Sequence, residues 1–464
     1  MDRRGFVSGG AALALLARAA GAGRALAAPA PIDPDDLRTA SREAWVYGLP
    51  LIEAARLRAA AIGDKPQTGR AGFNSFLHQR APAGPQSRDL SAPEPDVLYS
   101  SAWIHLGGGP ARIIVPPTGG RYFCLAVFDL YGNVLTTVEG REASERGHEV
   151  TVIGPPSRVG VAGYSAPMPR MPALHKMVHA RGVWVWALAR THLEGEQDLA
   201  AAHQLQDGLE VRVKPARTAP VPAPPVAPDA PWSDYFYAVQ QLIDENPPPQ
   251  EDEGFFRRIA PLQVGMYGGF EQARFADADL AQIAKGAAEG AILASEGAHA
   301  GEAAGGWLYP KDDIGDYGQD FLYRAQVALS EPAALRPQAL TALQALAPGG
   351  DRRFSSLERH RLVLPAAPPA NGFWSLTLYE PQPDGRLRLS DNPLGRHFIG
   401  GWTPGLRRGP DGAVEIVISR TSPDRGANWL PAPADSPFAL LLRLYAPGDA
   451  VLQRRYRPPP VEVI

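Results

Sequence analysis

The chain has 464 residues, with 46 Lys and Arg against 49 Asp and Glu, and one cysteine. That length exceeds the ~100–200 residues of a usual domain, so two domains are expected. The near balance of charge leaves no electrostatic footprint for nucleic acid. A single cysteine excludes an internal disulfide, so the hydrophobic cores must hold the fold unaided.

At the N-terminus, Arg3 and Arg4 precede a short, mildly apolar run, Val7 to Ala17, and then Ala25-Leu26-Ala27. This is the layout of a signal peptide of the twin-arginine type. Residues 1–27 are therefore expected to be removed, with the twin-arginine export machinery as a partner and a periplasmic or secreted destination. The apolar run is shorter than the roughly 20 residues that span a bilayer. No later segment is long and apolar enough either, so no transmembrane anchor is expected in the mature chain.

Pro34 to Ile62 reads as a helix, with Asp35 and Asp36 at its start. Short β-prone runs follow: Leu98 to Leu106, Ala111 to Val115, Arg121 to Leu130, Asn133 to Val138, Glu149 to Ile153 and Gly182 to Ala189. Gly and Pro punctuate them, a spacing that suggests an antiparallel sandwich or barrel. Cys124 lies inside one run and reads as a small buried hydrophobe. Glu194 to Glu210 reads as a covering helix. Residues 28–214 thus form a helical arm plus a first β domain.

Residues 215–231 are rich in Pro and Ala, and proline neither continues a helix nor donates to a ladder. They read as a surface linker. Residues 232–345 read as a helical block, with helices near Ser233 to Asn246, Asp277 to Ala298 and Tyr317 to Ser330. Residues 346–464 are β again. Trp374, Leu376 and Leu378 alternate with Ser375, Thr377 and Tyr379, the period of a half-buried strand. Asp384-Gly385 then offers a hairpin turn. Val414, Ile416 and Ile418 form one inward set, and Phe438, Leu440, Leu442 and Leu444 another. The fold class is α+β: two antiparallel β-sandwich-like domains with a helical N-terminal arm and a helical middle block.

Several words carry a resemblance. PPANGFWSLTLY (Pro368 to Tyr379), DNPLGRHFIG (Asp391 to Gly400), PDGAVEIVIS (Pro410 to Ser419), NWLPAP (Asn428 to Pro433) and FALLLRLYAP (Phe438 to Pro447) resemble the bacterial domain of unknown function 1214. PEPDVLYSSAWIHL (Pro93 to Leu106), GRYFCLAVFDLYGNV (Gly120 to Val134) and WALART (Trp186 to Thr191) resemble its N-terminal companion, domain of unknown function 1254. The resemblance implies two β-rich domains with helices packed around and between them. It implies no reaction. Its usual Asn-x-Asp-Thr-Leu-Tyr word has Glu94 and Val97 here at the Asn and Thr positions.

Standard catalytic motifs are absent: no G-x-S-x-G elbow, no H-E-x-x-H and no phosphate-binding loop. His175 and His179 are four apart, a spacing that on a helix puts both on one face, but the segment is Pro-rich and no acidic third ligand is nearby. No metal is expected there, and the residues name no cofactor. Five groups in or beside the loops of the family-like words are the candidate ligand-binding set: Asp96, Tyr99, Arg121, Arg396 and Asn428. Arg121 and Asp129 share a strand face and can pair; a free Arg121 can instead grip a carboxylate or phosphate. Asn428 can bind ligand or fix its own loop. The expectation is one polar pocket where the β domains meet, taking a small polar or anionic ligand. The alternative is a hydrolase or lyase with a site assembled from distant loops.

Overall fold

A computed structural model describes residues 34–62, 72–155, 175–216, 220–265, 269–296, 301–423 and 426–464. The expected signal peptide lies outside them.

Two sheets form the first β unit. The strands Leu77–His78, Val97–His105, Trp184–His192, Phe123–Phe128 and Val134–Glu139 make one antiparallel sheet in that spatial order. The second runs His175–His179, His148–Ile153, Ala111–Val115, Glu210–Arg212. One face of each packs on the other through Ile104, Ile113, Val115, Phe123, Leu125, Val150 and Val152. His175 and His179 thus lie on a strand, not a helix. The expected helix at Glu194 to Glu210 shortens to Leu199–Asp207.

The opposite face of the five-stranded sheet carries the helices. Pro34–Ile62, Trp232–Glu245, Asp277–Glu296 and Phe321–Ser330 bury Leu49, Ile52, Val239, Leu242 and Ile283 with Trp103, Cys124 and Trp186 of the sheet. This core also takes in Phe373 and Tyr445 from the far end of the chain. Cys124 is fully buried, and burial pushes its thiol up to about 12, so it acts as a hydrophobe.

The second β unit also pairs two sheets. One has the order Gly301–Ala304, Trp307–Pro310, Leu340–Ala345, Ala439–Tyr445, Trp374–Pro381, Leu387–Leu389, with Phe398–Gly400 also bonded to Trp374–Pro381. Asn428–Pro431, Val414–Ser419, His360–Leu364 and Glu462–Val463 form the other. Leu376, Leu378, Ile416, Ile418, Leu440, Leu442 and Leu444 fill the space between. The stretch 301–345, read as helical, therefore supplies three strands of this unit. Local composition hides them, because Gly301–Ala304 is a short edge of Gly, Glu and Ala with no alternation. Of the linker, residues 220–231 run along the surface, with Ala223 and Val226 seated on the helical core.

Among the described residues no helix is long and apolar enough to cross a membrane.

Candidate functional site

The strand Trp374–Pro381 is buried on both faces. Its apolar face meets its own sandwich. Its polar face meets the loop leading into the Val97–His105 strand through Ser375 and Tyr379, with Thr377 also buried. Ser375 Oγ donates to Asp96 Oδ2 at 2.6 Å, and Tyr379 OH donates to the Pro93 carbonyl at 2.8 Å. From the neighbouring strand, Tyr445 OH donates to Asp96 Oδ1 at 2.9 Å. Arg443 donates to the Tyr379 hydroxyl and to the Ala92 carbonyl.

Asp96 thus lies in a sealed polar seam between the two β units. Arg190, from Trp184–His192, grips Glu94 through Nε at 3.0 and 3.1 Å and the Ala333 carbonyl through Nη2. Glu331 adds a carboxylate 3.4 Å from Arg443. Tyr99 OH accepts the Glu94 amide. Burial first, and then the charge of Glu94, raise Asp96 to about 6. The hydrogen bonds from Ser375 and Tyr445 oppose that rise. Asp96 is 1% exposed and Tyr99 3%, so both hold the seam, and Tyr99 also borders a small cavity of ≈ 80 Å³ with Leu77, Trp103 and Trp186.

Above the seam the two units leave a cleft of ≈ 920 Å³. Gly119 to Phe123, Glu139 to Arg141, His192, Glu194 and Asp198 line it from the first unit. Ala370 to Trp374, Gly401 and Trp402 close it from the second. The backbone at Gly119 and Gly120 has φ of 63° and 85°, a region that glycine enters without a Cβ clash, and this turns the chain into Arg121. Arg121 pairs two-pronged with Asp198 and also holds the His192 carbonyl at 2.8 Å. Its partner is Asp198, not Asp129, whose carboxylate bonds Asn133 at 2.9 and 3.0 Å. The Arg121 hydrogen bond holds Asp198 below the usual carboxylate range.

His192 is stacked on Phe373 at 3.9 Å between ring centres, with Trp402 4.5 Å away. Burial, then the nearby Arg121, lower it to about 4, so it is neutral at pH 7. Phe373 in turn stacks on Tyr445 at 3.8 Å, which links the cleft floor to the seam.

Arg396 lines a neighbouring cleft of ≈ 730 Å³ with Pro82, Pro95, Leu199, Leu394, His397 and Phe398. It donates to the Trp429 carbonyl at 2.9 Å. Glu194 and Trp402 line both clefts. Asn428 lies apart from them: its side chain bonds the Arg407 amide and the Arg407 and Glu415 carbonyls, each at 2.8 Å. It fixes loops. The five expected groups therefore do not share one pocket: Arg121 and Arg396 line adjoining clefts, Asp96 and Tyr99 lie in the seam, and Asn428 is remote.

The sequence reading did not name Arg190, Arg443, Glu94, His192 or Trp402 as site groups. One signal was present for the arginines: each is a lone charge inside an apolar strand. Among the described residues no group of three or more His, Cys, Asp or Glu can hold a metal ion. His175 bonds Thr151 at 2.8 Å and lies 3.2 Å from Glu149.

A crystal structure of the VPA0106 protein from Vibrio parahaemolyticus shares this fold, with a TM-score of 0.62 and 19% identity over 92% of this chain and 100% of that one. A crystal structure of an uncharacterized protein from Burkholderia cenocepacia aligns at a TM-score of 0.46 and 12% identity, covering 93% of this chain and 94% of its own. No curated protein matches the chain. Residues 73–213 match the family described as Protein of unknown function (DUF1254), and residues 342–449 match Protein of unknown function (DUF1214). The chain belongs to the proteins that carry a DUF1254 domain followed by a DUF1214 domain.

Proposed function

We propose that the chain is an exported periplasmic protein that binds a small polar ligand in the cleft between its two β units. The observation that carries this reading is the cleft itself: ≈ 920 Å³, walled by both units, with Trp402 and Phe373 beside charged groups. Small-molecule sites favour such junctions, and their volumes run from about 300 to 1,000 Å³.

The charges favour an uncharged ligand over an anion. Arg121 is already neutralised by Asp198, and Arg141 is 2.8 Å from Glu139. Glu194 adds a further carboxylate to the wall. An incoming carboxylate would meet a guanidinium whose charge is already balanced and would be repelled by Asp198 and Glu194 beside it. The alternative of a hydrolase or lyase draws no support from the cleft histidine, whose Nε2 is sealed without a hydrogen-bond partner.

Thermal denaturation of the purified mature protein against small polyols, amides and carboxylates tests the reading. A ligand at one hundred times its Kd stabilises by about 2.7 kcal/mol, a readable rise in midpoint. The rise should vanish in Trp402→Ala. Compounds that shift wild type and variant equally would place the site elsewhere.

A further inference from the structure

Taking the cleft as a ligand site, we infer that its ligand is a neutral, linear oligosaccharide lying across both clefts. The two clefts measure ≈ 920 and ≈ 730 Å³, and Glu194 and Trp402 belong to both walls. Each alone matches the volume of a small-molecule site, about 300 to 1,000 Å³. A ligand that fills both is extended.

An aromatic strip runs along this path. Trp402 and Phe398, both partly exposed, lie 5.6 Å apart between ring centres and carry it. Phe373, its own ring faces stacked on His192 and Tyr445, braces Trp402 edge-on at 4.7 Å. Aromatic faces present apolar surface with defined geometry, which suits the C–H faces of successive sugar rings. Planar hydrogen-bonding groups flank the strip: Glu194, Asn371 and the Arg121–Asp198 pair. Arg121 makes three hydrogen bonds with its five N–H donors, leaving two. A hydroxyl both donates and accepts, so it can meet a guanidinium and a carboxylate that already neutralise each other. An anionic chain would be repelled by the Asp198 and Glu194 carboxylates on the same wall.

Calorimetric titration with cello-, malto- and chito-oligosaccharides, from mono- to hexasaccharide, tests the inference. At least one series should tighten by about tenfold between disaccharide and tetrasaccharide, a factor well within calorimetric reach. Glu194→Ala and Trp402→Ala should each remove most of that gain. Because Trp402 is partly packed, Leu394→Arg provides a third variant: Leu394 is 52% exposed on the second cleft's wall. It should abolish the gain with length while leaving the unfolding midpoint at the wild-type value, because the side chain it replaces is exposed. Affinity that stops rising at the disaccharide would overturn the two-cleft ligand but leave the first cleft as a site. Binding of small carboxylates with no saccharide bound would overturn the sugar chemistry while the cleft reading stands. No binding by any of these probes, saccharide or carboxylate, would remove both.

Discussion

Asp96 accepts hydroxyls from Ser375 and Tyr445 while lying beside Glu94, with about 1% of its surface exposed. Burial, and then the charge of Glu94, push its carboxyl up to about 6 in the folded chain, against ~3.9 when unfolded. The sign follows. Below about 4 the group is protonated in both states and costs nothing. Between there and about 6 the folded state keeps a proton that the unfolded state releases, so stability falls as pH rises. Above that window the full penalty remains. Asp96→Asn is neutral throughout and keeps an acceptor for one hydroxyl. Its urea midpoint should decline less than wild type from pH 4 to pH 6. A variant with the wild-type slope would mean that another group carries the proton. Asp96 stood out in the sequence through its family-like word, but its role did not. Ser375 and Tyr445 are hundreds of residues away, and no local pattern reports such a partner. Arg190 and Arg443 were legible only as lone charges in apolar strands, where a buried guanidinium needs a carboxylate beside it.

Among the elements, most strands are legible because an inward face repeats every second residue, and each of Phe438, Leu440, Leu442 and Leu444 is fully buried. The polar face of Trp374–Pro381 misleads for the same reason. Alternation means one face in water unless a second layer covers it, and here the Ala92–Asp96 loop does so with its carbonyls and carboxylate. The helices pack closely for a cause visible only in three dimensions. Asp277–Glu296 places Gly286 and Gly290 against Pro34–Ile62, where an added Cβ at Gly286 would strike the Arg38 carbonyl and come within 2.8 Å of Ser41 Cβ. At Gly290 it would come within 2.8 Å of the Arg42 carbonyl. Alanine ordinarily improves a helix by about 0.8–1 kcal/mol over glycine. Overpacking costs about 1–3 kcal/mol, and backbone cannot rotate away as a side chain can. Gly286→Ala should therefore destabilise by about 1–2 kcal/mol. Gly254→Ala, with nothing within 4 Å of the new atom, should be neutral or stabilising. Denaturation midpoints of the two variants compare them directly, and equal midpoints would sink the close-packing argument.

At the scale of the whole molecule, the two units are joined more tightly than a linker between independent domains implies. Phe373 and Tyr445 complete the core of the helices and the first sheet, and strands from residues 301–345 complete the second unit. Composition could locate the Pro-rich stretch but not this exchange of elements, because it depends on long-range strand pairing. The proposed export also belongs at this scale. Protein recovered from the periplasm should begin at Ala28, as read by N-terminal sequencing; a mature form still starting at Met1 would contradict it. Twin-arginine export carries folded chains, so the clefts would leave the cytoplasm already formed. The most direct measurement is a crystal structure of the protein purified from its own cells without refolding. The account predicts a ligand against Trp402 and Glu194, touching both β units. A ligand held elsewhere, touching neither of those two residues, would contradict it.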